Sequence, residues 1–261
     1  MFQPKRQTPT KGVNLLSKGI ISVFTVFFVA ASGQIALAET PTPTPTPSAT
    51  ITATPTPAPT TPIVCGANCF NPSLFPIDAA ESIWVVVNKK RPLNPIRYKP
   101  VLDSKLNLAK PAADGFRALK LAVSKAGKGT LCLNSGYRSY STQSYTYNTD
   151  VTRYGKKVAE NLAAHPGYSE HQTGLAADVS TTALSCRITN FGKSAASAWI
   201  AANAWQYGFI VRYPNGETAT TGYQYEPWHL RFVGIELATQ MHTQKITVLE
   251  KFWNLPAATS Y

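Results

Sequence analysis

The chain has 261 residues with 25 Lys or Arg against 13 Asp or Glu, which gives a formal net charge of +12 at pH 7. This length allows a domain with a proper hydrophobic core, and the basic balance favours an anionic partner surface. Nucleic acid is not expected as that partner, because the sequence has no dense Lys/Arg run and no nucleic-acid-binding motif.

The first 38 residues have the pattern of a secretory signal peptide. They contain four basic residues and no acidic one, and the basic residues are followed by an apolar run over residues 20–31. The segment ends in Ala36-Leu37-Ala38, which has the small residues of a cleavage site. Gly33 interrupts the run well short of the ~20 apolar residues that a membrane span needs. We therefore expect an exported protein cleaved after residue 38, with membrane contact only in the alternative case of an uncleaved anchor.

Residues 39–62 are predicted to be a disordered spacer, and residues 63–261 a single folded domain. The spacer consists almost entirely of Thr, Pro, Ala and Ser, which bury too little apolar surface to fold and favour a semi-rigid, polyproline-like chain. It could be a stalk that holds the domain away from a membrane or through a wall, or a tolerated low-complexity tail. Without the leader, 21 basic residues remain against 13 acidic ones, and this net charge of +8 suits an anionic cell wall.

The cysteine count is even, which in an exported chain favours disulfides. The four residues are Cys65, Cys69, Cys132 and Cys186, and three pairings are possible. We favour Cys65–Cys69 together with Cys132–Cys186, of which the second closes a loop of more than fifty residues. A cysteine zinc site is the weaker alternative, because the required pair spacings are absent and no histidine lies near the first two cysteines.

The part of the chain after the spacer predicts a mixture of helices and strands. β-branched and aromatic runs indicate strands, apolar residues at helical spacing indicate helices, and three prolines make residues 89–100 irregular. Because the strands are not joined by regular crossover helices, we expect an α+β fold with a small, mostly antiparallel sheet and helices packed on one side. Strands are predicted at residues 83–88, 130–134, 175–180, 209–213 and 229–233, and helices at residues 112–126, 140–163, 194–207 and, as one or two helices, 234–252.

The candidate chemistry is centred on residues 169–178, with the sequence SEHQTGLAAD. His171 and Asp178 lie seven positions apart, and a straight strand would hold them roughly 23 Å from each other. Imidazole and carboxylate are both zinc ligands, so the two could share one metal only if the chain turned back, which Gly174 would allow. A third ligand would have to come from elsewhere, and His229 is the candidate.

A catalytic zinc site usually has three protein ligands and one open position, where zinc polarises a carbonyl and lowers the pKa of water toward ~7. His171, Asp178 and His229 supply such a set. A further carboxylate must take the proton of the water without binding the metal. Glu226 lies three residues before His229, and Pro227 keeps it extended. Each of these residues alone is more often structural, so their joint presence in a matching context is what favours a zinc site.

Three stretches of the sequence resemble VanY-type D-alanyl-D-alanine carboxypeptidases. They are SGYRS at residues 135–139, SEHQTGLAAD at residues 169–178 and EPWHLRFVG at residues 226–234. Residues 87–93, VNKKRPL, are similar to the segment that opens this domain, and the resemblance runs in order from about residue 83 to about residue 245. The family belongs to a wider group of zinc peptidases that includes lysostaphin-like enzymes and hedgehog domains.

The resemblance implies a role for individual residues. His171, Asp178 and His229 match the ligands of a Zn²⁺ ion, and Glu226 matches the catalytic base. Arg138 matches the arginine that holds the carbonyl of the substrate and stabilises the oxyanion, for which a planar, permanently charged guanidinium is suited. A separate pair, Ser169 and Gln143, matches positions that hydrogen-bond the end of the peptide.

The resemblance also implies an activity, which is removal of the terminal D-alanine from peptidoglycan stem peptides ending in D-Ala-D-Ala. An L,D-carboxypeptidase or a peptidoglycan endopeptidase on the same site is the close alternative, because the length of the pocket decides between them. The non-enzymatic alternative is a zinc-stabilised module that binds the cell wall without catalytic activity. We expect the protein to be a monomer.

Overall fold

A computed structural model of the chain describes residues 74–261. The predicted signal peptide over residues 1–38, the spacer over residues 39–62 and the predicted Cys65–Cys69 pair lie outside the described residues. Within residues 74–261, no helix is long and apolar enough to cross a membrane.

The described residues form a mixed α+β fold, as expected. The helices are Lys110–Lys125 (α1), Tyr140–Tyr154 (α2), Lys156–Leu162 (α3), Ala195–Asn203 (α4), Thr218–Thr221 (α5), Ile235–Thr243 (α6) and Leu249–Phe252 (α7). The strands are Leu131–Ser135 (β1), Ala176–Thr181 (β2), Phe209–Tyr213 (β3) and Glu226–Phe232 (β4). The four strands form one sheet in the order β1-β2-β4-β3, and every neighbouring pair is antiparallel.

The two faces of this sheet carry different chemistry, because successive side chains of a strand point to opposite faces. Val179 and Leu230 lie in the main hydrophobic core, which the helices α1 and α4 cover. Their neighbours in the sequence, Asp178 and His229, therefore point to the other face. Helix α1 buries one face against this core, namely Ala112, Ala113, Phe116, Leu119 and Val123.

The strand predicted at residues 83–88 is wrong. Residues 85–87 are buried, but among residues 74–261 the segment pairs with no strand apart from an isolated bridge at its end. Its carbonyl groups are satisfied by a side chain instead: Arg231 donates to the carbonyl of Ile83 at 3.1 Å and to that of Val85 at 2.7 Å. This β-branched run is thus buried in the core without the backbone hydrogen bonds to a neighbouring strand that its composition suggests.

The helix predicted over residues 140–163 is divided into α2 and α3. Gly155 lies between them with φ 79° and ψ 155°, a conformation through which no helix continues and which other residues rarely adopt. The helix predicted over residues 194–207 is observed as α4 followed by a 3-10 turn, Ala204–Tyr207. Gly208 ends it in the left-handed conformation.

Cys132 and Cys186 form the predicted disulfide bond. Cys132 lies in β1, and Cys186 lies in the loop that follows β2. The bond spans a sequence separation of 54 residues, so it encloses the candidate segment at residues 169–178 and fastens β1 to the end of β2.

Candidate active site

The sheet register and one turn bring the three predicted metal ligands together. Asp178 of β2 is paired directly with His229 of β4. His171 lies in a 3-10 turn, Glu170–Thr173, just before β2, and Gly174 ends that turn with φ 71°. A Cβ atom at position 174 would lie 2.9 Å from a backbone nitrogen in the segment before α1, so only glycine fits. The chain therefore turns back at Gly174, as predicted.

The three side chains are buried, and each offers a ligand atom within 4.8 Å of the others. His171 Nε2 lies 3.2 Å from Asp178 Oδ2, and His229 Nδ1 lies 3.3 Å from Asp178 Oδ1. Oδ1 is buried, yet it accepts no hydrogen bond that satisfies normal geometry. Both rings thus point a nitrogen at the same carboxylate.

A hydrogen-bond acceptor on the outer side of each imidazole ring, away from Asp178, determines which ring nitrogen carries the proton. His171 Nδ1 lies 2.7 Å from the carbonyl oxygen of Gly136, which can only accept, so Nδ1 carries the proton. His229 Nε2 lies 3.3 Å from Oε2 of Glu170. If Glu170 is ionised, it also can only accept, and Nε2 of His229 must then donate.

Glu170 is ionised although it is completely buried. Burial alone would raise the pKa of Glu170, but the positive charges of Arg212 and Arg231 outweigh it and hold the pKa well below its ordinary value. Arg212 Nε and Arg231 Nη1 each donate to Glu170 Oε1 at 2.8 Å. The outer acceptors therefore place a proton on one nitrogen of each imidazole and leave the inner nitrogen with a lone pair.

Two imidazole lone pairs that face one carboxylate repel it unless a cation or a proton lies between them. This donor set, with an oriented hydrogen bond behind each ring, fits a zinc ion. In the metal-free protein a proton takes the place of the cation. Burial lowers the pKa of His229, but the neighbouring carboxylates of Asp178 and Glu170 outweigh it and raise the pKa to about 9.

Glu226 lies beside the ligand group at the start of β4. Its Oε2 is 3.8 Å from His229 Nδ1. Burial raises the pKa of Glu226 to about 7, although the positive charges of His229 and Arg138 oppose the shift. A carboxyl group with a pKa near neutral is suited to accept and return a proton at pH 7.

Arg138 follows β1 and reaches the same group, with Nη2 3.7 Å from Asp178 Oδ2. Nη1 of Arg138 donates to Gln143 Oε1 at 2.8 Å, and Nη2 donates to Ser135 Oγ at 3.2 Å. Gln143 is completely buried, and its amide nitrogen donates to the carbonyl of Ala164 at 2.7 Å. Gln143 therefore contacts the guanidinium directly but does not line the cavity described next.

A cavity of about 170 Å³ opens onto the ligand group. Its walls include Ser169, Arg138 and Glu226, together with the rings of Tyr213 and Tyr223. A larger groove of about 470 Å³ lies between α4, β3 and α6, but its lining is mostly apolar and contains none of the predicted site residues. The chemistry therefore assigns the smaller cavity as the candidate active site.

Three residues that shape this site were not predicted from the sequence: Glu170, Arg212 and Arg231. Glu170 stands next to His171, and its charge in a segment of mostly small, uncharged residues was the one available signal. Its two arginine partners lie 42 and 61 residues farther along the chain, so no local spacing connects them to it.

A buried group of two histidines and one carboxylate, next to a carboxyl group with a near-neutral pKa, defines a metallopeptidase site. Residues 105–235 match the VanY family, which is described as D-alanyl-D-alanine carboxypeptidase. The match covers half of the chain, and the chain belongs to this family.

Individual relatives agree with the family match. YodJ of Bacillus subtilis (strain 168), provisionally named a carboxypeptidase, is 37% identical over 190 residues, which cover 67% of this chain and 69% of YodJ. The solved structure of the LdcB LD-carboxypeptidase is 36% identical to this chain, with a TM-score of 0.60. The match covers 67% of this chain and 88% of the LdcB chain. A second solved structure is a mutant of the vancomycin-resistance D,D-pentapeptidase VanY in complex with Zn(II). It is 31% identical to this chain, with a TM-score of 0.58, and the match covers 65% of this chain and 98% of the VanY chain.

Proposed function

We propose that this protein is a zinc-dependent carboxypeptidase that removes the terminal D-alanine from peptidoglycan stem peptides ending in D-Ala-D-Ala. One observation carries the proposal: three ligand atoms converge within 4.8 Å beside the carboxyl group of Glu226, in a chain of the VanY family. The zinc complex of a VanY structure that is 31% identical to this chain supports the choice of metal.

In this proposal His171, Asp178 and His229 hold the zinc ion. The chemistry that zinc would supply there is polarisation of the scissile carbonyl and a lowering of the pKa of water toward ~7. Gly136 and Glu170 hold the two imidazole rings from behind, so the ligand atoms point at the same place before metal arrives.

Glu226 is proposed as the general base. It would take a proton from the attacking water and deliver it to the amine of the departing D-alanine, because one carboxyl group can serve in both directions when its pKa is near the working pH. The pKa of about 7 in the metal-free protein supports this role.

Arg138 is proposed to stabilise the negative charge that develops on the carbonyl oxygen, since its guanidinium lies on the cavity wall and stays charged. Ser169 lines the same cavity and is proposed to hydrogen-bond the end of the peptide. For Gln143 we propose an indirect contribution to substrate binding through Arg138, because both ends of its amide are already engaged within the protein.

L,D-carboxypeptidase activity is a second candidate, because the LdcB structure is 36% identical to this chain and has a TM-score of 0.60. Both activities need the same proton transfers and the same oxyanion donor. They differ in the residue that precedes the scissile bond, so substrate length and stereochemistry distinguish them.

An extracytoplasmic location, at the cell wall, is part of the proposal. The disulfide between Cys132 and Cys186 supports it, because such bonds form and persist mainly in oxidising compartments. The predicted signal peptide and the net basic charge point in the same direction. We propose that the protein acts there as a monomer.

The test is a digestion of two synthetic peptides by the zinc-loaded protein from Glu39 onward, with products identified by mass. Loss of one alanine from a muramyl pentapeptide, but not from the matching tetrapeptide, would support the proposal. Cleavage of the tetrapeptide alone would replace it with L,D specificity. Cleavage of neither would contradict a carboxypeptidase, and crosslinked wall fragments and sedimentation with sacculi would then test an endopeptidase and a wall-binding module.

A further inference from the structure

The carboxylate of Glu170 lies directly behind a proposed zinc ligand. Its Oε2 is 3.3 Å from His229 Nε2, the ring nitrogen that points away from Asp178. Its other oxygen accepts from Arg212 Nε and Arg231 Nη1, both at 2.8 Å. Glu170 lines the same cavity but is not one of the three converging ligands, and the side chain of that group which it contacts is His229.

The two arginines are themselves fixed, so the carboxylate cannot turn away from His229. The other two guanidinium nitrogens of Arg212 donate to Glu250 of α7, at 2.9 and 2.7 Å. Arg231 also donates to backbone carbonyls in the segment at residues 83–88. The side chains of Glu170, Arg212 and Arg231 are all fully buried, so water does not compete for these contacts.

We propose that Glu170 is a positioning residue that keeps the proton of His229 on Nε2 and thereby directs the Nδ1 lone pair at the metal. The inference rests on the proposed zinc site and adds the residue that orients one of its ligands. A carboxylate behind a metal-bound histidine fixes the ring and its tautomer, and loss of such a partner weakens metal binding by about 10- to 100-fold.

Glu170→Gln is a sharp test because the arginines dictate the orientation of the new side chain. Arg212 and Arg231 can only donate, so the amide oxygen of the glutamine must face them. The amide nitrogen then faces His229 and donates to Nε2. This reverses the hydrogen bond and favours the tautomer with its proton on Nδ1, the atom that the metal needs.

Glu250→Gln is the matched control. Glu250 is equally buried and is paired with the same Arg212, but its side-chain hydrogen bonds go to Arg212 and Asn88 and none reaches His229. Both variants remove one charge from one buried network, so a general loss of stability should appear in both. An effect transmitted through the imidazole should appear in Glu170→Gln alone.

The measurement is the Kd for zinc of the wild type and both variants, by competition with a chromophoric chelator, with the Tm of each metal-free protein recorded alongside. We expect zinc binding to weaken by about 10- to 100-fold in Glu170→Gln and by less than about 3-fold in Glu250→Gln. Equal Kd values in the two variants would overturn the positioning role. Failure of the wild type to bind zinc would instead overturn the proposed function, so the two failures are distinguishable.

A second measurement keeps the inference falsifiable if Glu170→Gln does not fold. In the zinc-loaded wild type, ¹⁵N NMR of the imidazole groups should show His229 protonated at Nε2, with a proton that exchanges slowly because its acceptor is buried. A proton on Nδ1, or rapid exchange at Nε2, would overturn the assignment.

Discussion

Asp178 and His229 face each other across adjacent antiparallel strands, with Nδ1 of the histidine 3.3 Å from a carboxylate oxygen that accepts no hydrogen bond. The sheet therefore places two of the three proposed ligands, and the turn at Gly174 adds His171 as the third. A group built on strands in this way is held in place before metal binds, which favours tight coordination.

Replacement of Asp178 by alanine should abolish zinc binding and peptidase activity together, because it removes the carboxylate that both imidazole nitrogens face. Zinc content after dialysis, measured by atomic absorption, checks the first effect. Asp114→Ala is the control, since Asp114 is an exposed carboxylate on α1 that pairs with Lys110. Zinc retained by Asp178→Ala at the level of this control would contradict the ligand assignment.

Glu226→Gln should keep zinc but lower kcat by about 10²- to 10⁴-fold, the range expected when a general base is removed. The amide preserves the shape of the side chain and cannot accept the proton of the attacking water. Steady-state kinetics on a D-Ala-D-Ala peptide, with zinc content measured on the same sample, separates the two properties. A fully active Glu226→Gln protein would remove Glu226 from the mechanism.

The contribution of Glu226 to the stability of the metal-free protein should fall as pH rises from about 4.5 to about 7. The pKa of Glu226 is raised from 4.5 to about 7 in the folded state, so the folded protein binds this proton more tightly than the unfolded chain does. The stability gained is present below pH 4.5 and is lost as pH rises through the folded-state pKa. By linkage the loss is on the order of 3 kcal/mol at most.

Glu226→Gln isolates this contribution, because glutamine does not titrate. In the presence of a chelator, the variant should be about as stable as the wild type near pH 5 and more stable near pH 8. Urea denaturation at the two pH values gives the difference in free energy of unfolding. An equal difference at both values would show that Glu226 has an ordinary pKa.

Arg138→Lys should lower kcat by about 10²- to 10³-fold with little change in zinc affinity, because a lysine cannot reproduce the donor geometry of the guanidinium. If Gln143 acts only by holding Arg138, then Gln143→Leu added to Arg138→Lys should cause little further loss. Kinetics of the two single variants and the double variant check this. Fully additive losses would indicate that Gln143 contacts the substrate independently.

Loss of the Cys132–Cys186 bond should lower the free energy of unfolding by up to about 4 kcal/mol, as the entropy of closing a loop of this length predicts. Cys132→Ser/Cys186→Ser should still bind zinc at temperatures where it is folded, since neither cysteine belongs to the ligand group. Chemical denaturation and zinc titration of this double variant measure the two effects. Unchanged stability would show that the bond is not formed in solution.

Features that depend on local pattern were predictable from the sequence. The strand at residues 209–213 was predicted with its observed bounds, and α1 follows from apolar residues at helical spacing. The convergence of His171, Asp178 and His229 was predicted from residue types, one glycine and a family resemblance together. Spacing alone would not have selected the third ligand.

Features that depend on distant partners were not predictable. Residues 83–88 have the composition of a strand, but their carbonyl groups bond to Arg231, a partner 146 residues from Val85. Glu170 likewise takes its role from Arg212 and Arg231, which the fold brings to it from the strands β3 and β4. Only the folded chain reveals such contacts.

The central claim is that His171, Asp178 and His229 form the zinc site, and anomalous diffraction at the zinc edge tests it most directly. Crystals of the zinc-loaded protein should give one strong peak, about 2.0–2.2 Å from His171 Nε2, His229 Nδ1 and an oxygen of Asp178. The absence of a peak there, or a dominant peak elsewhere on the protein, would contradict the metal site and the mechanism built on it.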